Sequence, residues 1–247
     1  MKVLVIGDTC KDVFVYGSCD RLCPDAPVPV FIPEYQRENR GMAGNVYENL
    51  VSFSRVEAHL IANETAVTKT RYVDEPTNHL LVRVDSGEER IERIKNLDEI
   101  DFSEYDAVVI SDYNKGFLTT EDISYIGNHH PLTFLDTKKL LGDWAQSVKY
   151  IKINHKEYDR TYHTIEDNKK IKSKLIITMG SRGCRFREGS FPVSTVEIKD
   201  TTGAGDSFLA ALVFRYVING GRMHDAIEYA NECASLVVQQ RGVSTIR

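Results

Sequence analysis

Short apolar runs recur along the chain, separated by longer polar stretches. Lys2–Gly7 (KVLVIG) is the first, ending in glycine before an aspartate. Similar runs follow at Ala107–Ser111, Leu132–Leu135, Tyr150–Ile153 and Leu175–Met179. Continuous apolar runs of this length suit strands buried on both faces of a parallel sheet. Between them, Thr120–Gly127 and Lys138–Val148 carry helical spacing. Strand and helix in alternation predict an α/β fold with helices on both faces of the sheet, and ligands at the carboxyl ends of its strands.

Two regions break the rhythm. Val13–Gly17 and Val28–Pro33 are rich in β-branched and aromatic residues, and Pro24, Pro27 and Pro29 exclude a helix there. Residues 65–72 and 79–94 also read as extended, with charges at alternating positions. The four pieces predict a small antiparallel sheet beside the main one, with an apolar face that must cover a site or meet a second copy. The last third is helical. Gly205–Ile218 is too apolar for a surface helix and ends at Gly220-Gly221. Asp225–Gln240 gathers Ala226, Ile227, Ala230, Ala234 and Val237 on one face.

The 247 residues are 42% hydrophobic and 27% charged, an ordinary globular composition that suits a single domain over 1–247. A net charge of −5 argues against a nucleic-acid partner. The five cysteines, at 10, 19, 23, 184 and 233, have no zinc-site spacing and read as reduced thiols. With no leader pattern at Met1 and no apolar run long enough to span a bilayer, the expected location is cytoplasmic, with no membrane partner.

The strongest chemical signal is Asp200-Thr201-Thr202-Gly203-Ala204-Gly205-Asp206, directly before the apolar helix. Gly203 and Gly205 allow a tight turn whose N–H groups converge, and the helix adds its positive end. Asp206 then stands beside an anion cradle. That pairing suits phosphoryl transfer to a hydroxyl: one part stabilises charge and the other takes the proton. The same string also reads as a plain loop and a capped helix.

The longer string, Asp200 to Phe208, resembles the second signature of the ribokinase-like (phosphofructokinase-B type) carbohydrate kinases. Further resemblances follow in that family's order: Gly7-Asp8 with Asp12, Gly41-Met42-Ala43-Gly44-Asn45, Asn154-His155-Lys156-Glu157, and Thr178-Met179-Gly180-Ser181-Arg182-Gly183. Within the family, the run from Val5 to Val30 resembles bacterial kinases acting on heptose 7-phosphate in lipopolysaccharide precursor synthesis. So do Ser111–Gly116 and Asp136-Thr137-Lys138.

The resemblance implies a three-layer sandwich with a mostly parallel central sheet and a small β-sheet lid, built from about 13–34 and 65–94. It implies transfer of the γ-phosphoryl of MgATP to a sugar or sugar phosphate. Asp206 corresponds to the base, and Gly203, Ala204 and Gly205 to the anion hole. Asp8, Asp12, Gly41 and Asn45 fall at the sugar. Arg71, Lys69, Lys115 and Lys138 are candidates for an acceptor's phosphate. Asn154 and Glu157 would organise Mg²⁺, through water at Glu157, and the ATP phosphates. Thr178, Gly180, Gly183 and Asn231 would border the nucleotide. Carbonyls around Asp200 and the Gly242–Ser244 loop would suit K⁺. A homodimer through the lid is expected.

His79, His129 and His130 read as structural or surface residues. The chain is shorter than the family's usual length, with compression expected after Val51–Arg55 and between Tyr158 and Lys174. Met42 stands where glycine is usual, and Tyr47 where a small residue is common. No second transferase region follows Arg247, so a kinase alone is expected. The alternatives are a kinase for another sugar, polyol or nucleoside on this fold, and a non-catalytic sugar or nucleotide sensor.

Overall fold

A computed structural model describes residues 1–240, 242, 245 and 246. Its strands are β1 (Lys2–Gly7), β2 (Thr9–Leu22), β3 (Pro29–Met42), β4 (Glu57–Ala62), β5 (Thr68–Asp74), β6 (His79–Ser86), β7 (Ala107–Asp112), β8 (Thr133–Thr137), β9 (Tyr150–Asn154), β10 (Leu175–Thr178), β11 (Cys184–Phe186) and β12 (Gly189–Phe191). Its α-helices are α1 (Ala43–Val51), α2 (Thr120–His129), α3 (His155–Ile165), α4 (Lys169–Lys172), α5 (Ala204–Ile218) and α6 (Met223–Val237). None is long and apolar enough to cross a membrane.

The main sheet runs β12-β11-β10-β9-β8-β7-β1-β4. It is parallel from β4 to β10, and only β11 and β12 join antiparallel. Side chains alternate across a strand, so each apolar run feeds two cores. Val3, Val5, Ala107, Val109 and Phe134 pack with residues of α1, α5 and α6. Leu4, Ile6, Val108, Ile110 and Leu135 pack on the other face with Ile123 and Ile126 of α2, Ile165 of α3 and Ile171 of α4. Every strand residue from Val3 to Ile6 is fully buried, which explains why these runs show no polar alternation. The chain leaves β1 toward β4 on one side and β7 on the other. Their carboxyl ends therefore form a switch point, the usual place for a ligand in such a sheet.

The lid sheet runs β3-β2-β5-β6. It is not wholly antiparallel as expected, because β2 pairs with β5 in parallel. Between β3 and β5 the chain detours through α1 and the main-sheet strand β4, so β5 returns running the same way as β2. The strand expected over 79–94 stops at Ser86. Gly87 turns in the left-handed region at φ 87°, and an added Cβ would sit 2.4 Å from the carbonyl oxygen of Ala66. A short 3₁₀ turn, Glu88–Arg90, follows it.

The helix expected over Lys138–Val148 is reduced to a 3₁₀ turn at Asp143–Gln146. Backbone N–H groups needed for a helix go elsewhere: Lys139 donates to Thr137 Oγ1 (3.0 Å) and Leu141 to Thr161 Oγ1 (2.7 Å). The apolar spacing was real, since Leu141, Ala145 and Val148 all enter the core. It serves a packed loop.

Candidate active site

α5 begins at Gly203, whose φ of 80° lies in the left-handed region that glycine tolerates best. Asp206 follows in the first turn and is buried. Tyr113 Oη donates to its Oδ1 at 2.7 Å, and Asn45 Nδ2 donates to its Oδ2 at 3.0 Å. Burial is the largest influence on Asp206 and raises its pKa, with the Asp136 charge acting in the same direction. The two donated hydrogen bonds and the Lys152 charge oppose it.

Lys152 lies within β9 and is nearly inaccessible, paired with Asp136 of β8 at 2.6 Å. A Cβ on Gly205 would come within 2.9 Å of its Nζ. Gly205 therefore leaves room for an ammonium beside the helix terminus, next to Asp206. Lys138 Nζ bonds Glu157 Oε1 at 2.5 Å and lies 3.6 Å from Asp136 Oδ1. Burial works against its charge, but Asp136 and Glu157 prevail and hold its pKa above the ordinary value. Asn154 and Glu157 form a reciprocal capping box at the start of α3. One carboxylate oxygen of Glu157 holds the helix end while the other faces Lys138.

On the lid side, Asp12 of β2 pairs with Arg71 of β5. Gly41 is required beside them, since a Cβ there would meet Asp12 Oδ2 at 2.2 Å. Lys115 bonds Glu88 Oε2, and Lys69 Nζ lies 3.2 Å from Glu88 Oε1. A cavity of about 390 Å³ opens beside these elements, lined by Cys10, Lys11, Glu38, Asn39, Arg40, Asn45, Glu48 and Thr245.

Sequence-predicted residues thus meet in four clusters: Asp206 with Asn45, Lys138 with Glu157, Arg71 with Asp12 and Gly41, and Lys69 with Lys115 on Glu88. Others stand apart. Asp8, expected at the sugar, is fully buried and accepts the backbone N–H groups of Tyr113 (2.7 Å) and Phe117 (3.3 Å). Its carboxylate braces a loop because it has no route to solvent. Asn231, expected near adenine, is buried and donates to the carbonyl of Phe191 at 3.0 Å, tying α6 to β12. Thr178 ends β10 and donates weakly to the Ile153 carbonyl (3.4 Å). Gly180 is open, with nothing within 4 Å of a would-be Cβ, whereas a Cβ on Gly183 would strike the Phe191 carbonyl oxygen at 2.0 Å. Asp200 accepts from the N–H groups of Thr202 (2.8 Å) and Gly242 (3.1 Å). Val243 and Ser244 of the expected cation loop lie outside the described residues.

Sequence reasoning gave no role to Tyr113, Glu88, Asp136 or Lys152. Lys152 had a legible signal: a lone charge inside an apolar strand, Tyr-Ile-Lys-Ile-Asn, must be paired or functional.

The profile of the pfkB family carbohydrate kinases matches residues 44–247. The bifunctional protein HldE of a Nitratiruptor species is 30% identical over 292 aligned residues, covering 99% of this chain and 63% of that protein. The chain therefore spans 63% of that relative's length, and the alignment is longer than the chain, so the relative has segments without a counterpart here. In three dimensions, a ribokinase from Thermotoga maritima superposes with TM-score 0.72 at 16% identity, covering 98% of this chain and 94% of that one. A ribokinase from Cryptococcus neoformans in complex with ADP gives 0.69 at 15% identity, with 99% and 97% covered. At these identities the likeness is one of fold.

Proposed function

The chain belongs to the pfkB family of carbohydrate kinases, and from that premise we propose that it phosphorylates a hydroxyl of a heptose 7-phosphate, with Asp206 as the base. One observation carries the chemistry: a buried carboxylate in the first turn of α5, with Lys152 packed against the same helix terminus. The acceptor class rests on the likeness of Val5–Val30, Ser111–Gly116 and Asp136–Lys138 to heptose 7-phosphate kinases, and on the similarity to HldE.

The residues fit MgATP. The α5 terminus and Lys152 suit a phosphate, and Asp136 Oδ1 is buried without a hydrogen-bond partner among the described residues. No cluster of three metal-ligating side chains exists among the described residues. A Mg²⁺ here would be held by phosphates and water, with Glu157 in reach through water. When bound, MgATP supplies the phosphoryl group and the ion that screens its charge. The chain does the rest. Asp206 accepts the hydroxyl proton. The N–H groups of Gly203 and Gly205 would meet the charge that builds on the transferred group, whereas that of Ala204 donates to the Thr201 carbonyl at 3.3 Å. Lys152, paired with Asp136, lies beside the same helix terminus. Asp12, with Gly41 clearing space for it, and Asn45 place the sugar.

We extend the proposal to one kinase unit over 1–247, to a homodimer through the lid, and to K⁺ at the carbonyls around Asp200. Leu80, Val82 and Val84 of β6 are half or more exposed, and this apolar strip supports the dimer.

A second reading has its own support. Each cation expected at an acceptor phosphate already has a carboxylate: Arg71 has Asp12, Lys69 and Lys115 have Glu88, and Lys138 has Glu157. A site balanced in this way suits an uncharged sugar. ADP release with MgATP and a panel of phosphorylated and unphosphorylated sugars separates the readings. Turnover confined to heptose 7-phosphate supports the first, and equal turnover of unphosphorylated sugars supports the second. Ligand binding without ADP release in any case counts against both.

A further inference from the structure

Tyr113 follows β7 at the carboxyl edge of the main sheet, three strands from β10 in the sheet order. Its loop is firmly held. The Tyr113 and Phe117 N–H groups both donate to the buried Asp8 carboxylate, and Asn114 and Gly116 take left-handed conformations at φ 57° and 104°. Its ring lies near two ammonium groups, with Lys138 Nζ at 5.1 Å and Lys69 Nζ of the lid at 5.9 Å from the centroid. Its hydroxyl ends on Asp206 Oδ1.

We propose that Tyr113 is the positioning residue of the base: its hydroxyl keeps Asp206 ionised and fixes the direction of its carboxylate. The inference rests on Asp206 acting as the base. A carboxyl buried this deeply would tend to keep its proton, and Asp136 from β8 adds to that tendency. Among the described residues, the groups that oppose it include the Asn45 amide from α1, Lys152 from β9, and Tyr113 itself. Lys138 also faces Asp206 and stays charged. Cys10 of β2 faces it as well, but burial pushes that thiol up to about 12 and it stays neutral. Burial and the neighbouring Asp206 charge also hold the Tyr113 phenol well above its usual range, so it remains a donor throughout the working pH range. A donated hydrogen bond to a charged acceptor is among the stronger kinds.

The test is the titration of Asp206 by carboxyl ¹³C NMR on protein labelled at aspartate. Asp206→Asn assigns the signal by its loss. In Tyr113→Phe, which keeps the ring and its contacts, the midpoint should rise by about one pH unit. With MgATP and the acceptor that the sugar panel identifies, the acid limb of kcat/KM should move the same way. The KM for ATP should stay within about twofold, because uniform binding is untouched. A midpoint equal to wild type overturns the inference, even if the variant is slow. If Asp206→Asn retains turnover, it is the base assignment that fails, while the NMR midpoint still decides whether Tyr113 controls this carboxyl.

Discussion

The main sheet and the lid sheet draw on similar apolar residues and use them oppositely. Val3, Leu4, Val5 and Ile6 of β1 are wholly buried, because helices cover both faces of that strand. In β6 every residue is exposed, including Leu80 at 56% and Val82 at 50%. The main sheet completes its own core. The lid closes only a small cluster, Phe14, Tyr16 and Val73, and carries Asp12, Arg71 and Lys69 on β2 and β5. The larger core therefore lies under the main sheet, while the candidate acceptor residues proposed above sit on a lid whose β6 strand is exposed.

The division can be broken at the base first. Asp206→Asn should lower kcat by about 10²–10⁴ while ATP binding persists, measured by steady-state kinetics and nucleotide titration. Unchanged turnover would remove Asp206 from the mechanism. Next in size is the core. Leu135→Ala, at a fully buried position, should cost about 2–5 kcal/mol in urea unfolding. Val82→Ser in the lid should change the stability of the folded chain by less than about 0.5 kcal/mol. It should instead weaken self-association in sedimentation velocity. Equal effects on unfolding would show that the two sheets are not so different.

Gly41→Ala tests the lid's hold on the acceptor. The added Cβ must displace Asp12, so the acceptor KM should rise on the order of tenfold to a hundredfold with little change in ATP affinity. The smallest effect is the most informative about substrate. Glu88→Gln frees Lys69 and Lys115 from a carboxylate, and should lower the KM of a phosphorylated acceptor by up to about fivefold. An unphosphorylated sugar should not respond.

Much of this was legible in the chain. The strands at Lys2–Gly7, Ala107–Ser111 and Tyr150–Ile153 were clear because burial on both faces forces an uninterrupted apolar run. The turn at Gly203 and the helix bearing Asp206 were clear because glycine and a buried helix leave strong local marks. The spacing of Asn154 and Glu157 was also legible, and in the structure it forms a helix cap. The false helix at Lys138–Val148 shows the limit. Apolar spacing records which residues reach the core, and not whether the backbone bonds to itself or to Thr137 and Thr161.

Sequence alone determined the alternation of elements, the glycine turn before α5 and the candidate base, since each depends on neighbours within a few residues. Tertiary structure alone decided which charges meet. The Asp206–Tyr113 hydrogen bond joins residues 93 apart, and that of Asp206 with Asn45 joins residues 161 apart. Arg71 reaches Asp12 across 59 residues. No local pattern encodes such partners, because they are selected by sheet order and loop path. That choice settles whether a carboxylate braces a loop, as Asp8 does, neutralises a lysine, as Glu88 does, or is held by two donors beside a helix terminus, as Asp206 is.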